Sequence, residues 1–296
     1  MTSFNAIVLC LCSGMAVLGQ SPELKQETVK YILSLQQEDG GFRASLPSVA
    51  KRNMRSSLRA TTAAIRALRY MHETPKDWDK IKQFVESCYD QKSGGYADFP
   101  CGPPDLFSTA VGLMALVELK LDKSAHARTA VTFLVNNAQL FEDIRIAAAG
   151  LESIQSFPKE TVEAWLALVA KLRNEDGSYG RPAGDVRMTG SALALLWRIG
   201  GRLDDAPRLR TLAIILDGQN LDGGFGKAKA KTSDLDSCYR VVRALILLKE
   251  KPKKKHEMLD FIKKCRNSDG GYGLAPGQES SIGATYYAAI LNHWLK

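Results

Sequence analysis

The chain has 296 residues, 45% of them apolar, and a formal net charge of +8. That is ample material for a large buried core, and the charge favours anionic over cationic partners. No stretch reaches the roughly 20 apolar residues that a membrane-spanning helix needs.

Residues 1–19 stand apart. Ala6 to Gly19 is apolar, Gln20 begins polar sequence, and Val17-Leu18-Gly19 ends on a small residue. This predicts a signal peptide and an exported protein, periplasmic or secreted, although Met1 to Asn5 carries no Lys or Arg. Retained as an extra helix, the same segment would leave the protein cytoplasmic. Six cysteines are present, with Cys10 and Cys12 in the leader. Cys88, Cys101, Cys238 and Cys265 have neither zinc-finger nor disulfide-scaffold spacing. Cys88 and Cys265 read as core residues, and export would allow a Cys88–Cys101 bridge.

Residues 20–296 read as one repeat domain. Asp39-Gly40-Gly41-Phe42, Ser93-Gly94-Gly95-Tyr96, Asp176-Gly177-Ser178-Tyr179, Asp222-Gly223-Gly224-Phe225 and Asp269-Gly270-Gly271-Tyr272 recur along it. The last gaps are 46 and 47 residues, and the 83-residue gap holds two units. A fixed period of this size signals a repeat architecture. First helices are expected over Gln26–Gln36, Trp78–Cys88, Arg128–Asn136, Thr161–Leu172, Arg208–Leu216 and Lys255–Cys265. Second helices are expected to begin near Ser57, Asp105, Asp143, Asp185, Asp236 and Ser281. The third unit has no Gly turn, and Gln139–Glu142 stands in for it.

The second helices are apolar nearly all round, as helices buried on most sides are. Runs such as Thr61-Thr62-Ala63-Ala64 and Ala147-Ala148-Ala149-Gly150 suit close packing in an inner ring. The expected fold is therefore all-α, a closed α/α toroid of six helix pairs in two concentric rings. An open solenoid needs polar caps, and Ile282 to Trp294 is as apolar as its neighbours. The Gly turns and the starts of the inner helices then share one rim. Lys249 to Lys255 falls on the opposite rim as a solvated turn.

The Gly-Gly-aromatic turns, the helix pairs and Leu235-Asp236-Ser237-Cys238-Tyr239 together resemble the β-subunits of protein prenyltransferases. They resemble more distantly the squalene and terpene cyclases. The resemblance covers roughly residues 22–296. It implies that Asp236 and Cys238 are zinc ligands and that Tyr239 lies near the diphosphate of an isoprenoid substrate. Zinc would hold an attacking thiol as thiolate, in a tetrahedral set with one open position. Lys227, Lys229 and Lys231 on the preceding loop, with Arg55 and Arg59 on the same rim, are candidates for the diphosphate. Helix N-termini add N–H donors there. The implied reaction is prenyl transfer to a thiol, and in this family a separate α-subunit accompanies the β-subunit. No nucleic acid is expected as a partner.

The chain departs from the family pattern at the third zinc ligand, a His. Ala284 stands at its place, and His72, His126, His256 and His293 lie elsewhere. Pro276-Gly277-Gln278-Glu279-Ser280 looks like a family diphosphate motif, but Ser281 replaces its final His.

Other readings compete. Class II terpene cyclases carry Asp-x-Asp-Asp at this helix start, and Asp234-Leu235-Asp236-Ser237 would make Asp236 the proton donor. Alternatively, Asp234 is only an N-cap like Asp105 and Asp185, and Cys238 is a core residue where Thr109 and Thr189 stand in other units. Phe107, Trp197, Tyr239, Tyr286 and Tyr287 either line an isoprenoid pocket or fill the centre. A toroid that binds without catalysis remains open, as does a glycan-processing toroid. The Gly-Cys-Gly-Glu-Gln segment of complement-type thioester domains is absent.

Overall fold

A computed structural model describes residues 22–46, 55–121, 124–227 and 230–296. The leader over 1–19, with Cys10 and Cys12, lies outside the described residues, as does Lys229. Twelve helices follow in order: α1 Pro22–Ser34, α2 Leu58–Tyr70, α3 Trp78–Ser87, α4 Leu106–Glu118, α5 Ser124–Asn137, α6 Phe141–Ile154, α7 Lys159–Lys171, α8 Val186–Arg198, α9 Asp205–Asp217, α10 Leu235–Leu247, α11 Lys255–Lys264 and α12 Ile282–Trp294. The fold is all-α among the described residues, with isolated β-bridges at the turns.

The even-numbered helices form a closed inner ring. α2 packs on α4, α4 on α6, and so on to α12, which packs back on α2. The odd-numbered helices pack outside their partners. Small residues allow the close inner approach: a Cβ on Gly150 of α6 would sit 2.9 Å from Ala110 Cα of α4.

Each Gly turn links three helices. The first glycine has positive φ, +81° at Gly223 and +86° at Gly270, which favours Gly. The next outer helix rests against it. A Cβ on Gly223 would meet Met258 N at 2.2 Å, and one on Gly270 would meet Glu27 O at 2.5 Å. The turn aspartate accepts the second glycine's N–H, as Asp39, Asp222 and Asp269 do at 2.9–3.0 Å. The aromatic is buried, and its N–H donates to an inner-helix Thr. Phe42 reaches Thr61, Tyr96 Thr109, Tyr179 Thr189 and Tyr272 Thr285, at 2.9–3.1 Å.

The ring closes through the same contacts. Gly270 docks on α1, Arg266 pairs with Glu27, and the Ile282 N–H donates to Ala44 O at 2.8 Å. In the third unit the Asp143 carboxylate accepts the Leu140 N–H at 3.1 Å, so α6 starts two residues earlier than expected. Outer helices α5, α7 and α9 likewise begin earlier than their apolar patterns suggested. First-turn residues need not face the core, so hydrophobic period marks helix starts poorly.

Gly223→Ala adds a Cβ clash to the unfavourable φ, whereas Gly184, at φ +80°, has open space around its Cβ position. Gly223→Ala is expected to cost about 1–3 kcal/mol more than Gly184→Ala. Urea unfolding of the two variants checks this.

Candidate functional site

Helix α10 decides the fate of the sequence motif. Asp234, not Asp236, precedes the helix and caps it, accepting the Ser237 N–H at 2.8 Å and the Ser237 hydroxyl at 2.7 Å. Asp105 and Asp185 cap α4 and α8 in the same way. Asp236 and Cys238 therefore both lie inside regular helix. Two residues apart at 3.6 residues per turn, they point about 200° from one another. The two side chains therefore do not converge as the zinc ligands that the resemblance implied.

Cys238 points into the core and is 0% exposed. Its Sγ accepts the Phe225 N–H at 3.2 Å. That is the bond made by Thr61, Thr109, Thr189 and Thr285 in the other turns, so the thiol replaces a structural hydroxyl. Burial pushes the Cys238 thiol far up. Ala284, at the expected His position, is also buried, at 1% exposure. No group of three or more His, Cys, Asp or Glu among the described residues is arranged around a common point. A thiol turned into the core and a carboxylate taken up by guanidiniums do not fit a tetrahedral zinc.

Asp236 points the other way, toward the inner ring. Its Oδ2 accepts from Arg187 Nη2 at 2.7 Å and Nε at 3.2 Å, and its Oδ1 accepts from Arg240 Nε at 3.0 Å. Arg240 also donates to Glu142 at 2.8 Å, and Arg145 donates to Glu142 at 2.9 Å. Burial pushes the Asp236 carboxyl up, but Arg240 and Arg187 win and hold it below the usual carboxylate range. It is an ionised anchor for Arg240, which suits neither zinc binding nor proton donation to an alkene.

A cavity of about 720 Å³ occupies the toroid axis. Seven arginines line it: Arg59, Arg66, Arg69, Arg145, Arg198, Arg240 and Arg243. Between them the wall is apolar or aromatic, with Val111, Met114, Ile146, Tyr239, Tyr286 and Tyr287. Phe107 also lines it, but Trp197 does not. The lining carboxylates Asp98, Glu118 and Glu152 are each paired with arginine.

Of the other residues the sequence pointed to, Ser281 lines this cavity, and so does Arg59, at the rim of the Gly turns, where it pairs with Asp105 at 2.7 Å. Arg55 is exposed and stacks over Phe99. Lys227 and Lys231 are exposed on their loop, and Lys227 lines a separate crevice beside Gly184 and Gly218. Ser280 of the Pro276–Ser280 segment donates to Asp269, a structural bond. Cys88 and Cys101 are unbridged, the first buried and the second exposed.

Sequence reading found Arg59 but passed over the other six axial arginines. Their signal is a stripe at helical spacing on helices that are otherwise buried. On α2 it runs Arg59, Thr62, Ala63, Arg66, Arg69, and on α10 it runs Asp236, Tyr239, Arg240, Arg243. A charged stripe on an inner helix has only the axis to face.

Fold and site define an α/α toroid with an axial cavity rich in arginine. The sequence matches the prenyltransferase α/α toroid domain over residues 2–83, 73–135 and 144–294, and the chain belongs to that family. No curated protein matches. Among solved structures, the toroid is similar to Candida albicans protein geranylgeranyltransferase-I complexed with GGPP, at 14% identity and TM-score 0.70 over 90% of each chain. It is similar to the type II terpene cyclase MstE from Scytonema, in complex with geranylgeranyl dihydroxybenzoate, at 12% identity and TM-score 0.63 over 92% of this chain and 96% of that one. The GH76 α-mannanase BT2949 of Bacteroides thetaiotaomicron shares the fold at 12% identity and TM-score 0.59, over 92% and 94%.

The assignment of Cys238 to the core predicts its reactivity. Burial raises the Cys88 and Cys265 thiols to about 12 and Cys238 further, whereas Cys101 is exposed. Peptide mapping after brief alkylation of native protein should find Cys101 labelled and the other three protected. Cys238→Thr should unfold within about 1 kcal/mol of wild type, as a swap for the residue used in sister turns. Rapid labelling of Cys238 would overturn the assignment.

Asp236 should show a stability signature. A carboxyl depressed in the folded state stabilises above its unfolded pKa of about 3.9, and the gain is lost as pH falls through the folded value. Asp236→Asn is expected to cost about 2–3 kcal/mol at pH 7, less than the 3–5 of a fully buried pair, because Asp236 is 19% exposed. The gap between variant and wild type should shrink below about pH 4, as read from urea unfolding at each pH.

Proposed function

We propose that this toroid binds an isoprenoid diphosphate in its axial cavity. The observation that carries the reading is the cavity itself, of about 720 Å³, where seven arginines face three carboxylates. Its size lies within the usual 300–1,000 Å³ of small-molecule sites. The arginines suit a diphosphate through charge and paired N–H donors. Val111, Met114, Ile146, Tyr286 and Tyr287 give an apolar and aromatic wall for a prenyl chain. Membership of the prenyltransferase toroid family supports the same ligand class, and two structurally similar proteins carry geranylgeranyl compounds.

Prenyl transfer to a thiol is the finer reading that the Asp-x-Cys-Tyr motif suggested. The burial of Cys238 and the arginine pairing of Asp236 weigh against a zinc-thiolate route, so the reading stops at binding and at cationic support of the diphosphate. The ionised state of Asp236 weighs against an alkene-protonating cyclase. A glycan hydrolase needs a pair of carboxyls flanking the scissile bond, and the lining carboxylates are all committed to arginines.

Titration calorimetry at about 0.15 M salt tests the reading with geranylgeranyl diphosphate and geranylgeraniol. The diphosphate should bind at least tenfold more tightly than the alcohol, with a negative heat-capacity change from burial of the chain. Absence of any binding by the diphosphate would sink it.

A further inference from the structure

The axial charges divide into two groups of different balance. Toward the rim of the Gly turns stand Arg59, Arg145, Arg187 and Arg240, facing Asp98, Asp105, Glu142 and Asp236. Among the described residues these four guanidiniums meet four carboxylates, so the ion pairs of this end balance. In the last two turns of the inner helices stand Arg66 and Arg69 of α2, Arg198 of α8 and Arg243 of α10. Among the described residues, their carboxylate partners are Glu118 and Glu152. Two positive charges are left over at the far end.

The excess donors there are also poorly used. Among the described residues, the buried Nε atoms of Arg66 and Arg243 make no hydrogen bond, a state shared by Arg43, Arg173 and Arg266 outside the cavity. Arg66 Nε lies 3.4 Å from Glu118 without hydrogen-bonding alignment, and its Nη1 donates to the Met114 sulfur, a weak acceptor. Aromatic faces hold the guanidiniums in place: Arg66 sits 5.2 Å over the Tyr286 ring and Arg243 5.7 Å over Trp294. Tyr239 stacks on Trp294 at 5.6 Å, so its ring leans toward this end. Burial pushes the Tyr239 phenol up, but Arg66, Arg198 and Arg243 outweigh it and bring it below its ordinary value. Arg198 and Arg243 share Glu152 at 2.8 and 3.3 Å, and Arg66 lies over Tyr286, whose ring is 6.1 Å from that of Tyr239, so guanidiniums from α2, α8 and α10 surround this end. Helices α2 and α8 are on opposite sides of the ring.

Unpaired buried donors and uncompensated charge are costly in a folded protein. They persist where a ligand supplies the missing partner.

We infer that Arg66, Arg198 and Arg243, with the hydroxyls of Tyr239 and Tyr286, form a site for a doubly charged phosphate-type oxyanion at the far end of the cavity. The loop lysines Lys227 and Lys231 and the ion-paired near rim are not the headgroup site. For a prenyl diphosphate, which rests on the binding reading above, the headgroup lies deep and the chain runs back toward Phe107 and the rim of the Gly turns.

The test is calorimetry with inorganic pyrophosphate and with geranylgeranyl diphosphate at about 0.15 M salt. The proteins are wild type, Arg66→Gln with Arg243→Gln, Tyr286→Phe, and the rim variant Lys227→Gln with Lys231→Gln, whose lysines lie on the loop outside the cavity. The deep double variant should weaken both ligands at least tenfold, and Tyr286→Phe about threefold to tenfold. The rim variant should stay within threefold. Thermal melting without ligand gives a second readout. The deep variant should melt at or above wild type, because it removes like-charge repulsion, and pyrophosphate should raise the melting temperature of wild type and of the rim variant but not of the deep variant. Loss of binding in the rim variant with the deep variant unaffected would overturn the inference. Pyrophosphate binding that depends on Arg66 and Arg243, without binding of the prenyl compound, would uphold this site and refute the isoprenoid reading. No binding of either ligand would refute both.

Discussion

The fold hangs on one hydrogen bond repeated around the ring, from the N–H of a buried turn aromatic to a side chain on the following inner helix. Four turns use threonine and the fifth uses Cys238. The bond fixes where the outer helix ends relative to where the inner helix begins. The positive-φ glycine beside it leaves no Cβ, so the next outer helix can lie against its backbone. Each turn thus sets its own helix pair and the neighbour's position, and the last turn sets the first. A closed ring with no special end caps follows from that local rule.

Closure creates the cavity and dictates what can line it. Inner helices pack on two ring neighbours and on the outer ring, which leaves one stripe facing the axis. Apolar stripes alone would fill the centre, as dense packing favours. On α2, α8 and α10 the stripes carry arginine. Mutual repulsion and the long stems of arginine help to keep the axis open, while aromatic faces and carboxylates hold the guanidiniums in order. Stability and ligand capacity are in tension at the far end, where positive charge exceeds negative. That tension belongs to a binding site more than to a structural core.

The same physics explains why the family motif does not transfer whole. Asp236 and Cys238 stand at the family spacing, but Asp234 caps α10, so both already lie within the helix. Once the pair lies inside regular helix, one side chain turns toward Arg187 of α8 and the other faces the Phe225 turn. Asp236 is then taken up by Arg187 and Arg240, and Cys238 becomes the fifth copy of a structural threonine. Tyr239 does reach the axis, three residues on from Asp236 and on the same face. It keeps the company of arginines that the motif does not mention.

Much of this architecture was legible from residues alone. Glycine, aspartate and aromatic residues at a fixed period specify turns through local backbone chemistry. Asp105, Asp185 and Asp234 specify helix starts through caps within four residues, and nothing distant is needed to read either. The cavity was not legible in the same way. An inner helix is apolar nearly all round, so sequence period cannot separate its axial face from its packed faces. Which arginines meet, and whether their charges balance, depends on side chains from α2, α4, α6, α8 and α10, tens to more than a hundred residues apart in the chain. The sequence by itself determined the repeat, the helix pairs and the ring, because those rest on short-range geometry. Only the tertiary structure decided that Cys238 is core, that Asp236 is an anchor and that positive charge gathers at one end of the axis, because each depends on which residues of different helices face one another.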